Sequence, residues 1–219
     1  SGSCEVLTLA AQACVQPGQG VVWSQYGFLV YGQAAALVGA RRSVVPAQDF
    51  GHDLDAMRAA VDADTRLVFV ANPNNPTGNL LDPARLHAFI AGLPEKVTVL
   101  LDEAYTEYLT PDQRYDSMAW VRQHPNLIVA RTFSKAYGLA GLRIGYGVAQ
   151  AALCSRLNAV RPRFNVTTPA MAAARAALDD ADFLQRTYTL NLAVRSALAE
   201  GLSAEGLTVR PSAGNFLMV

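Results

Sequence analysis

Short apolar runs rich in Val, Ile, Leu and Phe alternate along this 219-residue chain with longer stretches of helical periodicity. That alternation restricts the fold more than any other feature. It points to parallel strands returned to one sheet by crossover helices. The expected class is α/β: a mostly parallel sheet with helices on both faces. Strands are expected near Val21–Trp23, Ser43–Pro46, Leu67–Ala71, Val97–Leu101, Leu127–Thr132 and Arg143–Val148. Helices are expected over Glu5–Val15, Phe28–Val38, Leu54–Val61, Pro83–Ala91, Ser117–Gln123 and Ala149–Val160. The rhythm then changes, with two successive helices, Pro169–Leu178 and Asp182–Leu202, before strands at Thr208–Arg210 and Phe216–Val219. Residues 1–165 therefore read as one large unit, and 166–219 as connecting helices and an incomplete smaller α/β unit.

An apolar fraction of 51% supports a sizeable core, and a formal net charge of zero removes the broad attraction expected of a nucleic-acid binder. Small-molecule chemistry fits better. Cys4, Cys14 and Cys154 are odd in number and widely spaced, which suits a reducing, cytoplasmic setting rather than a disulfide framework or a zinc site. No charged-then-apolar leader opens the chain. The most apolar stretch, Gly27–Ala40, is too short to span a bilayer and reads as a buried helix, so no membrane association is expected.

In open α/β sheets the ligand site lies beyond the carboxyl ends of the strands, and the polar clusters of this chain fall there. Asn72-Pro-Asn-Asn-Pro-Thr-Gly78 follows the Leu67 strand, Asp102-Glu-Ala-Tyr105 the Val97 strand, and Ser134-Lys135 the Leu127 strand. Each has a plain structural explanation: turn chemistry for the asparagines, helix capping for Asp102 and Ser134, half-burial for Tyr105. Coincidence explains poorly why amide, acid, phenol and amine should occur at successive strand ends. Lys135 is one of two lysines against sixteen arginines, and an amine of tunable basicity suits covalent chemistry. Arg143, eight residues on, offers a cation for an anionic group, and the glycines around it suggest a close-packed turn.

Competing signatures are absent. His52, His87 and His124 are spread over expected loops and helices, which argues against a metal cluster or a Ser/His/Asp triad. Gly18-Gln-Gly20 lacks a third glycine and precedes a strand, and no glycine-rich loop ends in Gly-Lys-Ser/Thr.

Gly2-Ser-Cys-Glu5, Phe28-Leu-Val-Tyr31, Asn74-Asn-Pro-Thr-Gly78, Leu101-Asp-Glu-Ala-Tyr105, Arg131-Thr-Phe-Ser-Lys135, Gly141-Leu-Arg143 and Phe164-Asn-Val166 together carry a resemblance. Over nearly its whole length the chain resembles the class I/II aminotransferases of the type I fold of pyridoxal-phosphate enzymes, most of all those acting on histidinol phosphate. The resemblance implies pyridoxal 5'-phosphate as cofactor, an amino donor with a 2-oxo acid acceptor as substrates, and a homodimer. Lys135 would make the covalent link to the cofactor and move the substrate α-proton, and Asp102 would pair with the pyridine nitrogen. Tyr105 and Asn75 would bond the ring oxygen, and Phe28 would stack on the ring. The phosphate would be held by the N–H groups of Ser3 and Cys4 with Thr132, Ser134 and Arg143, while Asn165 would lie near the substrate. Cys4 departs from the Asn or Asp usual at its position. An aromatic amino-acid aminotransferase, or a non-catalytic cofactor-binding fragment, is the alternative. The resemblance also places an opening strand, a partner-reaching tyrosine and a substrate-gripping arginine outside these residues.

Overall fold

The computed structural model describes residues 2–219. Its centre is a six-stranded sheet: β1 (Gly20–Ser24), β2 (Arg41–Val45), β3 (Thr65–Ala71), β4 (Thr98–Asp102), β5 (Leu127–Thr132) and β6 (Gly145–Val148), in the order β2-β1-β3-β4-β5-β6. All pairings are parallel except β5 with β6, which is antiparallel. A parallel return needs a crossover, usually a helix, but only the bends and one 3-10 turn (Ala140–Leu142) separate β5 from β6. The short connection therefore reverses the chain.

Among the described residues eight α-helices accompany the sheet: α1 (Ser3–Cys14), α2 (Leu29–Leu37), α3 (Leu54–Ala59), α4 (Pro83–Ala91), α5 (Ser117–Gln123), α6 (Ala151–Val160), α7 (Thr168–Asp179) and α8 (Ala181–Ala204). Because side chains alternate across a strand, the sheet has two apolar faces. Val21, Trp23, Leu67, Phe69, Leu100 and Ile128 pack against α1, α2 and α6. Val22, Val68, Val70, Val99, Leu101 and Val129 pack against α3, α4 and α5. Burial on both faces is why these strands read as continuous apolar runs.

Helices α4 and α5 occupy the expected bounds because their starts are chemically marked. The Asp82 carboxylate accepts from Arg85 N at 2.8 Å with Pro83 at the first helical position, and Asp116 accepts from Ala119 N at 3.1 Å. Helix α2 differs from expectation. It buries Tyr31, Ala34 and Ala35, whereas Leu29 and Leu37 are 65% and 61% exposed, because a helix lying on a sheet covers only one stripe of its surface. The strands expected at Thr208–Arg210 and Phe216–Val219 reduce to a single antiparallel bridge between Arg210 and Met218. No neighbouring strand lies there to extend the pairing among the described residues. Leu190, Val194 and Leu198 make an exposed stripe on α8, which has no buried residue.

Candidate active site

The parallel strands β1, β3, β4 and β5 all end on one edge of the sheet, and the register sets Ala71 beside Asp102 and Asp102 beside Ala130. The segments that leave those ends, together with the start of α1, enclose a cleft of about 590 Å³ open to solvent. Ser3, Cys4, Phe28, Asn75, Asp102, Tyr105, Thr132, Ser134, Lys135 and Arg143 all line it, with Tyr31, Ala71, Pro73 and Ala104.

At the floor lies Asp102, only 5% exposed. Its Oδ2 accepts a hydrogen bond from the Tyr31 hydroxyl at 3.1 Å, while Oδ1 is buried without a partner. Burial is the main influence on this carboxyl and raises its pKa to about 6; the Tyr31 hydrogen bond, the Ala104 N–H and the Lys135 charge pull the other way. A buried acid with one oxygen free is poised for a cationic or N–H-bearing ligand.

Asn75 Nδ2 donates to the Tyr105 hydroxyl at 2.9 Å. Burial of Tyr105 raises its phenol to about 12, against the effect of the Asn75 bond, so it stays a neutral donor. The neighbouring asparagines do the work of the turn. Asn72 Oδ1 accepts from Leu81 N at 2.8 Å and its Nδ2 donates to Tyr115, while Asn74 Nδ2 donates to Thr77 and to the Tyr26 carbonyl. One motif thus supplies two structural amides and one that faces the cleft. Phe28, at the start of α2, lines the cleft and also meets Tyr31 edge-on at 6.1 Å, combining both roles considered for it.

Lys135 is exposed to the cleft, with Nζ 5.4 Å from the centre of the Tyr105 ring. The segment between Lys135 and Arg143 is made of bends and the 3-10 turn Ala140–Leu142 rather than an α-helix. Arg143 reaches the cleft from a left-handed backbone position, φ 54°, with its guanidinium on the Ala140 carbonyl at 2.9 Å and near Ser134 Oγ at 3.5 Å. The close packing expected around it holds on one side only. A Cβ on Gly145 would stand 2.6 Å from Ser3 N, whereas nothing approaches Gly141, and the Arg143 side chain is exposed. Gly145 therefore lets β6 touch the first turn of α1. That turn begins at Gly2, φ 74°, and Ser3 and Cys4, whose N–H groups a helix leaves without internal acceptors, line the cleft with Arg143. Thr132 Oγ1 accepts from Ser134 N at 3.1 Å, which shapes the same rim.

Asn165 is not brought to this cleft. It donates to Glu5 at 2.6 Å and accepts from Arg161 at 2.9 Å, beside a second cavity lined also by Val6, Tyr146 and Leu157. The sequence assigned no role to Tyr31 beyond its place in the Phe28-Leu-Val-Tyr31 segment that carries the family resemblance. It likewise passed over Glu103, which binds Arg131 at 2.8 Å and Ser117 at 2.9 Å on the other side of β4. His52 is buried, with Nε2 3.1 Å from Ala71 N, and desolvation lowers its pKa to about 4; it steadies the end of β3 outside the cleft. His87 and His124, separate in sequence, meet at 3.0 Å between their Nε2 atoms because α4 and the end of α5 are neighbours. One ring donates to the other, and no group of three or more metal-ligating side chains occurs among the described residues.

The family model for aminotransferase class I and II matches residues 1–219. Histidinol-phosphate aminotransferase 2 of Ralstonia nicotianae is 57% identical over 219 residues, covering 100% of this chain and 59% of that protein. Histidinol-phosphate aminotransferase 1 of Cupriavidus pinatubonensis is 58% identical, covering 100% and 58%. The crystal structure of histidinol-phosphate aminotransferase from Sinorhizobium meliloti in complex with pyridoxal-5'-phosphate superposes with a TM-score of 0.92 at 36% identity, over 97% of this chain and 58% of that one. The chain thus spans somewhat under three fifths of the length of these relatives. With the family model matched over every residue of its sequence and the structural likeness over 97% of it, the chain belongs to the class I and II aminotransferases.

Proposed function

We propose that the cleft binds pyridoxal 5'-phosphate and that the protein to which these residues belong transfers an amino group from histidinol phosphate to 2-oxoglutarate. The observation that carries the cofactor reading is the buried, unpartnered Oδ1 of Asp102 facing a cleft that also holds Lys135. The donor set fits the group: an acid for a pyridine nitrogen, a phenol and an amide for a ring oxygen, and an arginine with a helix start for a phosphate. When bound, pyridoxal phosphate supplies a cationic conjugated ring able to take up the electron pair released when a C–H bond beside an amine breaks.

The side chains divide the remaining work. Asp102 would hold a proton on the ring nitrogen, Tyr105 would donate to the ring oxygen from its place on Asn75, and Phe28 would lie against the ring. Arg143, Ser134, Thr132 and the N–H groups of Ser3 and Cys4 would hold the phosphate. Lys135 would hold the cofactor covalently, and its free Nζ would take the substrate α-proton and return it. The chemistry belongs to residues 1–165, with residues 166–219 starting a second unit. The preference for histidinol phosphate is supported by the two relatives above 55% identity. The exposed apolar stripe on α8 supports assembly as a homodimer, and three free cysteines support a cytoplasmic setting.

Half-reactions followed by the cofactor absorbance test the substrate. Histidinol phosphate should convert the cofactor faster than phenylalanine does; faster conversion by phenylalanine would make the protein an aromatic aminotransferase, and no conversion by any amine a non-catalytic binder.

The pH dependence of binding follows from Asp102. In the free protein its carboxyl titrates near pH 6, and only the ionised form can pair with a ring N–H cation. Through Asp102, affinity should therefore fall by about tenfold per unit as the pH drops below that value. Equilibrium dialysis with a phosphorylated cofactor analogue lacking the aldehyde, which removes any contribution from Lys135, measures this directly. Affinity that rises on acidification would contradict the assignment.

A further inference from the structure

The two oxygens of Asp102 are unequal in their side-chain partners. Oδ2 is taken by the Tyr31 hydroxyl at 3.1 Å, and Oδ1 is left enclosed and free. Tyr31 is fully buried, stacked on Phe69 with centroids 4.6 Å apart and planes 6° from parallel, and met edge-on by Phe28. A phenol clamped in this way has one place for its hydroxyl. This fixed side-chain donor on Oδ2, acting with the Ala104 N–H on the same carboxylate, restrains its rotation and so helps to decide where Oδ1 points.

The choice of a phenol is also chemical. Burial and the neighbouring Asp102 charge push the Tyr31 pKa well above its ordinary value, so the hydroxyl keeps its proton and always donates. A donor that never ionises favours the charged form of its acceptor. Besides the Tyr31 hydroxyl, the Ala104 N–H assists the ionisation of Asp102, the Glu103 charge opposes it and the Lys135 charge assists it.

We propose that Tyr31 is a positioning residue that sets the ionisation and aim of Asp102, so that the cleft selects a heteroaromatic ring in its N-protonated form. The proposal rests on the cofactor reading above and extends it to a residue outside the expected site. Tyr31 acts through Asp102 and need not touch the ring. Removing its hydroxyl leaves a buried oxygen unsatisfied and favours the neutral acid, which can no longer hold a ring cation.

The test uses the holoprotein loaded with cofactor labelled with nitrogen-15 in the ring. At neutral pH the parent should give the nitrogen signal of a protonated pyridine. Tyr31→Phe should move that signal toward the unprotonated ring and weaken cofactor retention by about 10- to 100-fold. On an Asp102→Asn background the same change should add little, because the effect passes through the carboxylate. If Tyr31→Phe fails to fold, replacement of Tyr31 by 3-fluorotyrosine, a stronger donor of nearly the same shape, should move the signal toward fuller protonation. A nitrogen signal unmoved by these replacements, or a Tyr31→Phe effect that adds in full to Asp102→Asn, overturns the proposal while leaving the cofactor reading intact. A parent protein that binds no cofactor overturns both.

Discussion

Borohydride treatment of the cofactor-loaded protein should fix the cofactor on Lys135 and leave Lys96 free. The expectation is nearly all-or-none because the chain offers only these two lysines. Lys135 follows the carboxyl end of β5 and faces the cleft. Lys96 precedes β4, at the opposite edge of the sheet, and donates to the Ala63 carbonyl at 2.8 Å. No rearrangement short of unfolding brings both to one ligand. Peptide mapping reads the outcome, and Lys135→Ala should abolish the borohydride-stable adduct altogether. A label on Lys96, or an undiminished label in Lys135→Ala, would remove the covalent role from Lys135.

Asp102→Asn should cost more in turnover than any other change in the cleft that leaves the covalent link possible. An amide has nearly the shape of the acid and can keep the Tyr31 contact, but it carries no charge to hold a proton on a ring nitrogen. The lost stabilisation acts where charge develops, so a fall of about 10³-fold or more is expected in rate with the cofactor still bound. Arg143→Ala should show the opposite pattern. It removes a charge-assisted contact to the phosphate, weakening retention by about 10- to 100-fold while leaving the rate of the loaded protein far less affected. Measuring retention by dialysis and rate at saturating cofactor separates the two. Near-parental turnover in Asp102→Asn, or unchanged retention in Arg143→Ala, would refute the respective assignment.

The sheet and the helices packed on it were largely legible because their signals are local. Apolar runs at β1, β3, β4 and β5 and capped starts at Asp82 and Asp116 locate elements to within a few residues. The cleft residues at the strand ends were legible for a related reason: once strands are parallel, the residue after each one must lie on the same edge. Legibility failed where the outcome depended on partners. Residues 208–219 have strand-like composition but only one bridge, since a strand forms only where another edge receives it. Arg143 was read correctly as near a turn and incorrectly as enclosed, because backbone approach at Gly145 does not bury the side chain at Arg143.

The sequence alone determined the α/β class, the sheet-edge location of Asn75, Asp102, Tyr105 and Lys135, and the family resemblance later matched over residues 1–219. Those follow from periodicity and from motif order along the chain, which are one-dimensional. Only the tertiary structure decided that β6 runs antiparallel, that His87 meets His124, that Asn165 bonds Glu5 outside the cleft, and that Tyr31 holds Asp102 from 71 residues away. Each of these is a contact between elements. Its geometry is set by how helices settle on the sheet, and no local pattern encodes which side chains then come within hydrogen-bonding distance.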